Sequence, residues 1–190
     1  VFEQVNRSKA ALRAEGADII DLGMGNPDLP TPKHIVDKLV ETARKPDVNG
    51  YSASRGIPGL RRAVTDYYKR RFDVTLDKNK EVIVTLGSKE GFANLAQAIS
   101  APGDVILSPD PSYPLHSFGF IIAGASIRAV PAPSPEDYLR NLEKAVKHCV
   151  PPPTAMVLCY PSNPTADVCD LEFYKDAVKF AKKHDLWILS

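Results

Sequence analysis

From Glu81 onward the chain alternates between short apolar runs and amphipathic segments, and this alternation restricts the fold more than any other feature. Glu81–Leu86 (EVIVTL), Asp104–Leu107, Ser126–Val130, Ala155–Tyr160 (AMVLCY) and Leu186–Leu189 read as strands. Between them lie segments with helical spacing. Phe92, Leu95, Ala96 and Ile99 share one face. Leu115 to Ala123 forms a second helix, Ser134-Pro135-Glu136 opens a third that runs to Lys147, and Leu171 to Lys183 forms a fourth. Strands alternating with helices of about 10–15 residues predict an α/β fold, a mostly parallel mixed sheet covered by helices on both faces. Ligands of such sheets sit beyond the carboxyl ends of the strands.

The first 80 residues are organised differently. Val1 to Glu15 is amphipathic, with Phe2, Val5, Ala10 and Leu12 among its apolar positions. A short apolar strand in DIIDL follows, then a stretch broken by Gly23, Gly25, Pro27, Pro30 and Pro32. Thr31 is suited to cap a helix that starts at Pro32 and ends near Arg44. KPDVNGYSASRG reads as a loop. Pro58 then opens a helix carrying Leu60, Val64, Tyr67 and Tyr68 to about Phe72.

The 190 residues suffice for one sizeable core, and 44% hydrophobic with 25% charged residues is ordinary for a globular chain. A net charge of +1 argues against a polyanionic partner or a charged membrane surface. No apolar run approaches the roughly 20 residues of a membrane span. Three separated cysteines, Cys149, Cys159 and Cys169, and no C-x-x-C point to a reducing, cytoplasmic compartment. The neighbours His148 and Cys149 read as a helix end with a solvated imidazole and a buried thiol, not as a metal site. There is no signal peptide pattern, residue 1 is not Met, and the chain stops inside its last strand at Ser190. The expectation is therefore the front part of a longer protein.

Three polar loops end strands. In GSKEG, Gly87 permits close backbone approach, Ser88 is a candidate N-cap, and the amides that follow would attract an anion. Taken by itself, the segment is better accounted for by a ligand-free Gly-Ser helix start. The spacing does not match the G-x-x-x-x-G-K-[ST] loop of nucleoside triphosphatases. GMGNPD lacks the third glycine of a dinucleotide fingerprint and has Pro27 where a helix should begin, so it is either a tight loop offering amides or a connector. In PDPSYP, Tyr113 either stacks on a flat ring or covers the core. In YPSNPTA, Asn163 sits between Pro161 and Pro164, either aimed at an oxygen or shaping a turn. Tyr51 either reaches a phosphate or lies on the surface. Together the loops offer an anion cradle, an aromatic and an amide, which suit a flat ring carrying a phosphate and an oxygen.

The order GMGNPDLPTP, GYSASRGIPGLRRAV, GSKEG, PDPSYP and YPSNPTA resembles the class I/II pyridoxal-phosphate aminotransferases of fold type I, over essentially the whole chain. Bacterial glutamate–pyruvate (alanine) aminotransferases are the nearest in look, with LL-diaminopimelate aminotransferases nearby. The resemblance implies pyridoxal 5'-phosphate as cofactor and transfer of an amino group between an amino acid and a 2-oxo acid. It also implies a homodimer. Residues 1–47 would contribute to the small domain and substrate loop, and 48–190 would form the first part of the large domain. By the same resemblance, Gly25 lies near the substrate carboxylate and Tyr51 reaches the cofactor phosphate of the partner subunit. Ser88 and Lys89 hold the phosphate, Tyr113 stacks on the ring, and Asn163 bonds its phenolic oxygen. The lysine that anchors the cofactor covalently falls beyond Ser190 in this family, so no catalytic residue is expected in the chain and the 190 residues alone are expected to be inactive. Other expectations remain open at this stage: a different amino donor, another reaction of the same fold, or a regulatory domain that borrowed it.

Overall fold

The computed structural model describes residues 2–23, 25 and 27–190. The chain divides into two compact units, Val1–Tyr51 and Ser52–Ser190.

The first unit holds helix α1 (Phe2–Ala14) and helix α2 (Lys33–Ala43). The DIIDL segment forms no strand, because nothing among the described residues pairs with its backbone. Polar contacts hold it instead. Asp21 accepts from Lys9 Nζ at 2.7 Å and from the Gly23 amide at 3.0 Å. The hydrogen bond from Lys9 holds the Asp21 carboxyl below the usual carboxylate range. Thr31 does not cap α2. Pro32 occupies the N-cap position and makes no side-chain cap bond, and its carbonyl accepts from the Ile35 amide at 2.9 Å. Proline fits here because its fixed φ suits a helix entrance and it has no N–H to leave unpaired.

The second unit begins with helix α3 (Pro58–Phe72), whose proline lies in the first turn as its sequence predicts. Its remaining helices are α4 (Ser88–Ile99), α5 (Pro114–Ile122), α6 (Pro135–Lys147) and α7 (Leu171–His184). Its strands are β1 (Val105–Asp110), β2 (Ser126–Pro131), β3 (Ala155–Val157) and β4 (Trp187–Leu189). They form a sheet in the order β2-β1-β3-β4, and all three pairings are parallel. In β1 the residues Val105 to Ser108 are all buried, as a strand covered on both faces requires. Successive side chains alternate between the two faces. Leu107 and Met156 enter the core shared with Tyr138 and Leu142 of α6 and Phe173 and Phe180 of α7. Ile106, Ala155 and Val157 enter the opposite core with Ala96 of α4 and Phe120 of α5.

The segment EVIVTL departs from its expected strand. It has no ladder partner among the described residues: the Val84 amide donates to the Arg55 carbonyl at 3.2 Å, the Glu81 amide to the Asp77 carbonyl at 2.8 Å and the Leu86 amide to the Glu90 carboxylate at 2.6 Å. An apolar alternating pattern suits a strand, but a ladder needs a partner of matching length.

Two helix starts follow local chemistry. Ser134 Oγ accepts from the Asp137 amide at 3.1 Å, and the Asp170 carboxylate accepts from the Phe173 amide at 2.9 Å. Both satisfy amides that have no partner inside the helix. Ser134→Ala and Asp170→Ala are each expected to lower unfolding free energy by about 1 kcal/mol. The two losses should add in the double variant, since the caps serve different helices. Urea melts of the three variants measure this. His148 is exposed at the end of α6 and Cys149 is buried, in agreement with the reading of that pair. No group of three or more metal-ligating side chains occurs among the described residues. None of the described helices is long and apolar enough to cross a membrane.

Candidate functional site

The extended segment ending at Leu86 turns at Gly87 and enters α4. Gly87 has φ +92°, in the region that favours glycine, and it takes the N-cap position expected for Ser88. Ser88 is instead the first helical residue. Gly91 donates to the Gly87 carbonyl at 3.2 Å, which closes the first turn. The amides of Ser88, Lys89 and Glu90 have no carbonyl partner among the described residues. Ser88 and Lys89 are exposed, so three amides and a hydroxyl face solvent at the positive end of a twelve-residue helix.

Tyr113 stands beside this turn. It is the N-cap residue of α5, half-buried, and the Lys89 ammonium lies 5.8 Å from its ring centroid. That distance is within cation–π range. The packing of α5 on α4 sets the approach. Phe92 of α4 meets Phe120 edge-on at 5.8 Å and His116 at 5.3 Å, and His116 meets the Tyr113 ring edge-on at 5.8 Å. Burial holds the His116 imidazole below its ordinary pKa, so it is neutral at pH 7 and packs as an aromatic.

Asn163 lies in the loop after β3. Because β1 and β3 are parallel neighbours, the loops that follow them leave the same end of the sheet. Pro111 of one loop and Ser162 and Asp167 of the other line a common crevice with Tyr160. The Asn163 loop is closed on itself. Ser162 donates to the Asp167 carbonyl, Ala166 donates to the Ser162 carbonyl, both at 2.8 Å, and the Thr165 hydroxyl bonds the Asp167 carboxylate. Asn163 itself is exposed, with its amide free of protein partners among the described residues. At the loop's base Tyr160 packs edge-on against Phe173 at 4.9 Å, and burial pushes its phenol up to about 12.

Ser88, Lys89, Tyr113 and Asn163 thus all belong to the second unit, on loops or helix starts that follow extended segments. Gly25 and Tyr51 belong to the first. Gly25 is exposed, with nothing within 4 Å of the place a Cβ would take, and Tyr51 is fully exposed at the end of its unit. Sequence reasoning passed over Glu90, whose carboxylate accepts from the Leu86 amide at 2.6 Å. The signal was present: an acid three residues after the N-cap is the second half of a capping box.

A glycine turn and a helix start, beside a parallel sheet with helices on both faces, give the α/β architecture of the fold type I aminotransferases. The chain belongs to the class I and II aminotransferase family, whose model matches residues 17–190. The Rhizobium meliloti (strain 1021) protein AatC is 62% identical over 190 residues, covering all of this chain and 47% of its own. The glutamate–pyruvate aminotransferase AlaC of Escherichia coli (strain K12) is 49% identical over 189 residues, 100% of this chain and 46% of its own. An LL-diaminopimelate aminotransferase of Moorella thermoacetica is 39% identical over 186 residues, 98% and 48% of the two chains. Among solved structures, an aspartate aminotransferase from Thermotoga maritima superposes with a TM-score of 0.87 at 29% identity, over 98% of this chain and 49% of that one. The chain spans about half the length of the curated relatives it matches.

The family depends on pyridoxal phosphate. The residues present fit that group. Three unpaired amides and the Ser88 hydroxyl suit a phosphate, and the flat Tyr113 ring beside them suits a pyridine.

Proposed function

We propose that this chain is the front half of a pyridoxal-phosphate-dependent aminotransferase that moves an amino group between alanine or glutamate and pyruvate or 2-oxoglutarate. The observation that carries the cofactor reading is the unpaired amide turn at Ser88–Glu90 with Tyr113 beside it. The 49% identity to the glutamate–pyruvate enzyme supports the substrate pair. LL-diaminopimelate is the second reading, supported by the 39% relative.

In this reading the amides of Ser88, Lys89 and Glu90 and the Ser88 hydroxyl hold the phosphate. Tyr113 covers one face of the ring, and Asn163 donates its amide to the ring's phenolic oxygen. The fixed loop around Asn163 keeps that donor in place without reorganisation. When bound, the cofactor supplies an electron-withdrawing ring that takes up charge from the substrate α-carbon. Gly25 offers its amide to the substrate carboxylate, and Tyr51 reaches the phosphate of a partner subunit. Residues 1–47 belong to the small domain and 48–190 to the large one.

The test is consumption of each amino donor by the full-length protein in the presence of a 2-oxo acid. Dependence on alanine or glutamate is expected, and turnover of LL-diaminopimelate alone overturns the substrate assignment. The 190-residue chain by itself is expected neither to hold the cofactor covalently nor to turn over. A stable cofactor–lysine absorption band from that chain, removed by borohydride with the label left on one lysine, would refute that. Lys89→Ala in the full-length protein should weaken cofactor retention by roughly fivefold, the scale of one exposed charge. Loss of transamination with cofactor still bound would assign the ammonium to the chemistry instead.

A further inference from the structure

We infer that Glu90 is a positioning residue for the phosphate-binding turn, holding the Leu86 amide so that the amides of Ser88, Lys89 and Glu90 face the ligand. This rests on the pyridoxal phosphate reading of the same site.

The turn is stitched from three sides. The Glu90 carboxylate accepts from the Leu86 amide at 2.6 Å and, through its other oxygen, from Asn94 Nδ2 at 3.4 Å. The Thr85 hydroxyl donates to the Gly87 carbonyl at 3.1 Å. Residue 91 must be glycine for this packing, because a Cβ there would sit 2.9 Å from Thr85 Oγ1. Thr85, Leu86 and Gly87 are thereby fixed against the first turn of α4. In an ordinary capping box the acid reaches back to the N-cap amide. Here it reaches one residue further, to the amide before the N-cap. The Gly87 amide is left without a partner among the described residues, and the amides of Ser88, Lys89 and Glu90 are unpaired because they open the helix behind an N-cap glycine that has no side chain to cap them.

A carboxylate in the first turn is favoured by the helix dipole, yet it has no proton to donate and repels a phosphate. Its contribution to anion binding is therefore geometric, and its charge works against the ligand. The two effects separate by substitution. Glu90→Gln keeps an acceptor oxygen for the Leu86 amide and removes the charge. Glu90→Ala removes both.

The experiment titrates pyridoxal phosphate into the full-length apoprotein and measures hydrogen exchange at the Leu86 amide without ligand. Glu90→Ala should bind the cofactor about tenfold more weakly and exchange the Leu86 amide faster. Glu90→Gln should bind at least as tightly as wild type, with slow Leu86 exchange. Wild-type affinity in Glu90→Ala, or a loss in Glu90→Gln as large as in Glu90→Ala, overturns the positioning role while leaving the site reading intact. Wild-type protein that fails to bind pyridoxal phosphate overturns the site reading and the positioning role with it. A Leu86 amide that exchanges equally fast in wild type and Glu90→Ala overturns the positioning role whatever the cofactor does.

Discussion

Tyr138→Ala is expected to lower the unfolding free energy by about 3–5 kcal/mol, the usual cost of emptying a large aromatic site. Tyr138 is completely buried where α6 meets the sheet, packed among Leu107, Leu142, Met156 and Phe173. Its hydroxyl donates to the Val157 carbonyl at 2.8 Å, linking α6 to β3 just before the Asn163 loop. Tyr138→Phe keeps the ring and loses only that bond, at a cost of about 1–2 kcal/mol. Urea melts should rank wild type, Phe and Ala in that order. An alanine variant as stable as wild type would show that the site collapses without penalty.

The same phenol gives a pH dependence. Burial pushes its pKa well above the ordinary value near 10. As pH rises through about 10 the unfolded phenol loses its proton while the folded one keeps it. The stabilisation is therefore complete below pH 10 and declines above it. Tyr160, with its phenol raised to about 12, acts in the same direction between about 10 and 12, but its partial exposure makes its share smaller. Tyr138→Phe should remove most of the alkaline slope in a series of melts between pH 9 and 11. An unchanged slope would assign it to other groups.

Gly56→Ala carries the second large effect, about 2–5 kcal/mol of destabilisation. Two costs combine. Gly56 has φ +84°, which costs an L-residue about 1–2 kcal/mol. A Cβ there would lie 2.3 Å from Val84 Cγ2 and 2.5 Å from Val84 Cβ, an overlap of the kind that costs about 1–3 kcal/mol. Val84→Ala should not rescue the variant, because the Val84 Cβ remains in the way. Val84→Gly should relieve the overlap and leave the backbone strain. The urea midpoints of the single and double variants give the coupling directly, and a full rescue by Val84→Ala would contradict the geometry. The site matters beyond stability. Arg61 Nε donates to the Gly56 carbonyl at 3.2 Å and Arg61 Nη1 to the Lys78 carbonyl at 2.7 Å. The loop after Tyr51 is thus tied to the chain that leads through Val84 into the Ser88 turn.

Much of this architecture is local in origin. The helices α3, α5, α6 and α7 begin where Pro58, Pro114, Ser134 and Asp170 place them, because proline geometry and side-chain caps act within one turn. The alternation of apolar runs and helices by itself dictates parallel strands with buried faces, and so the end of the sheet where ligand loops gather. Ser88, Tyr113 and Asn163 were accessible to the same reasoning, since each lies in a polar stretch that follows an apolar run. What the tertiary structure alone decided is which segments find partners. EVIVTL and AMVLCY look alike in sequence, yet the first has one backbone bond to Arg55 while the second opens with β3, between β1 and β4. DIIDL has the composition of a strand and is held by Lys9 and Gly23 instead. Gly56 reads as an ordinary loop glycine until Val84 is placed against it. Periodicity records the face a residue prefers. A ladder partner or a close contact comes from elsewhere in the chain, and only the folded arrangement supplies it.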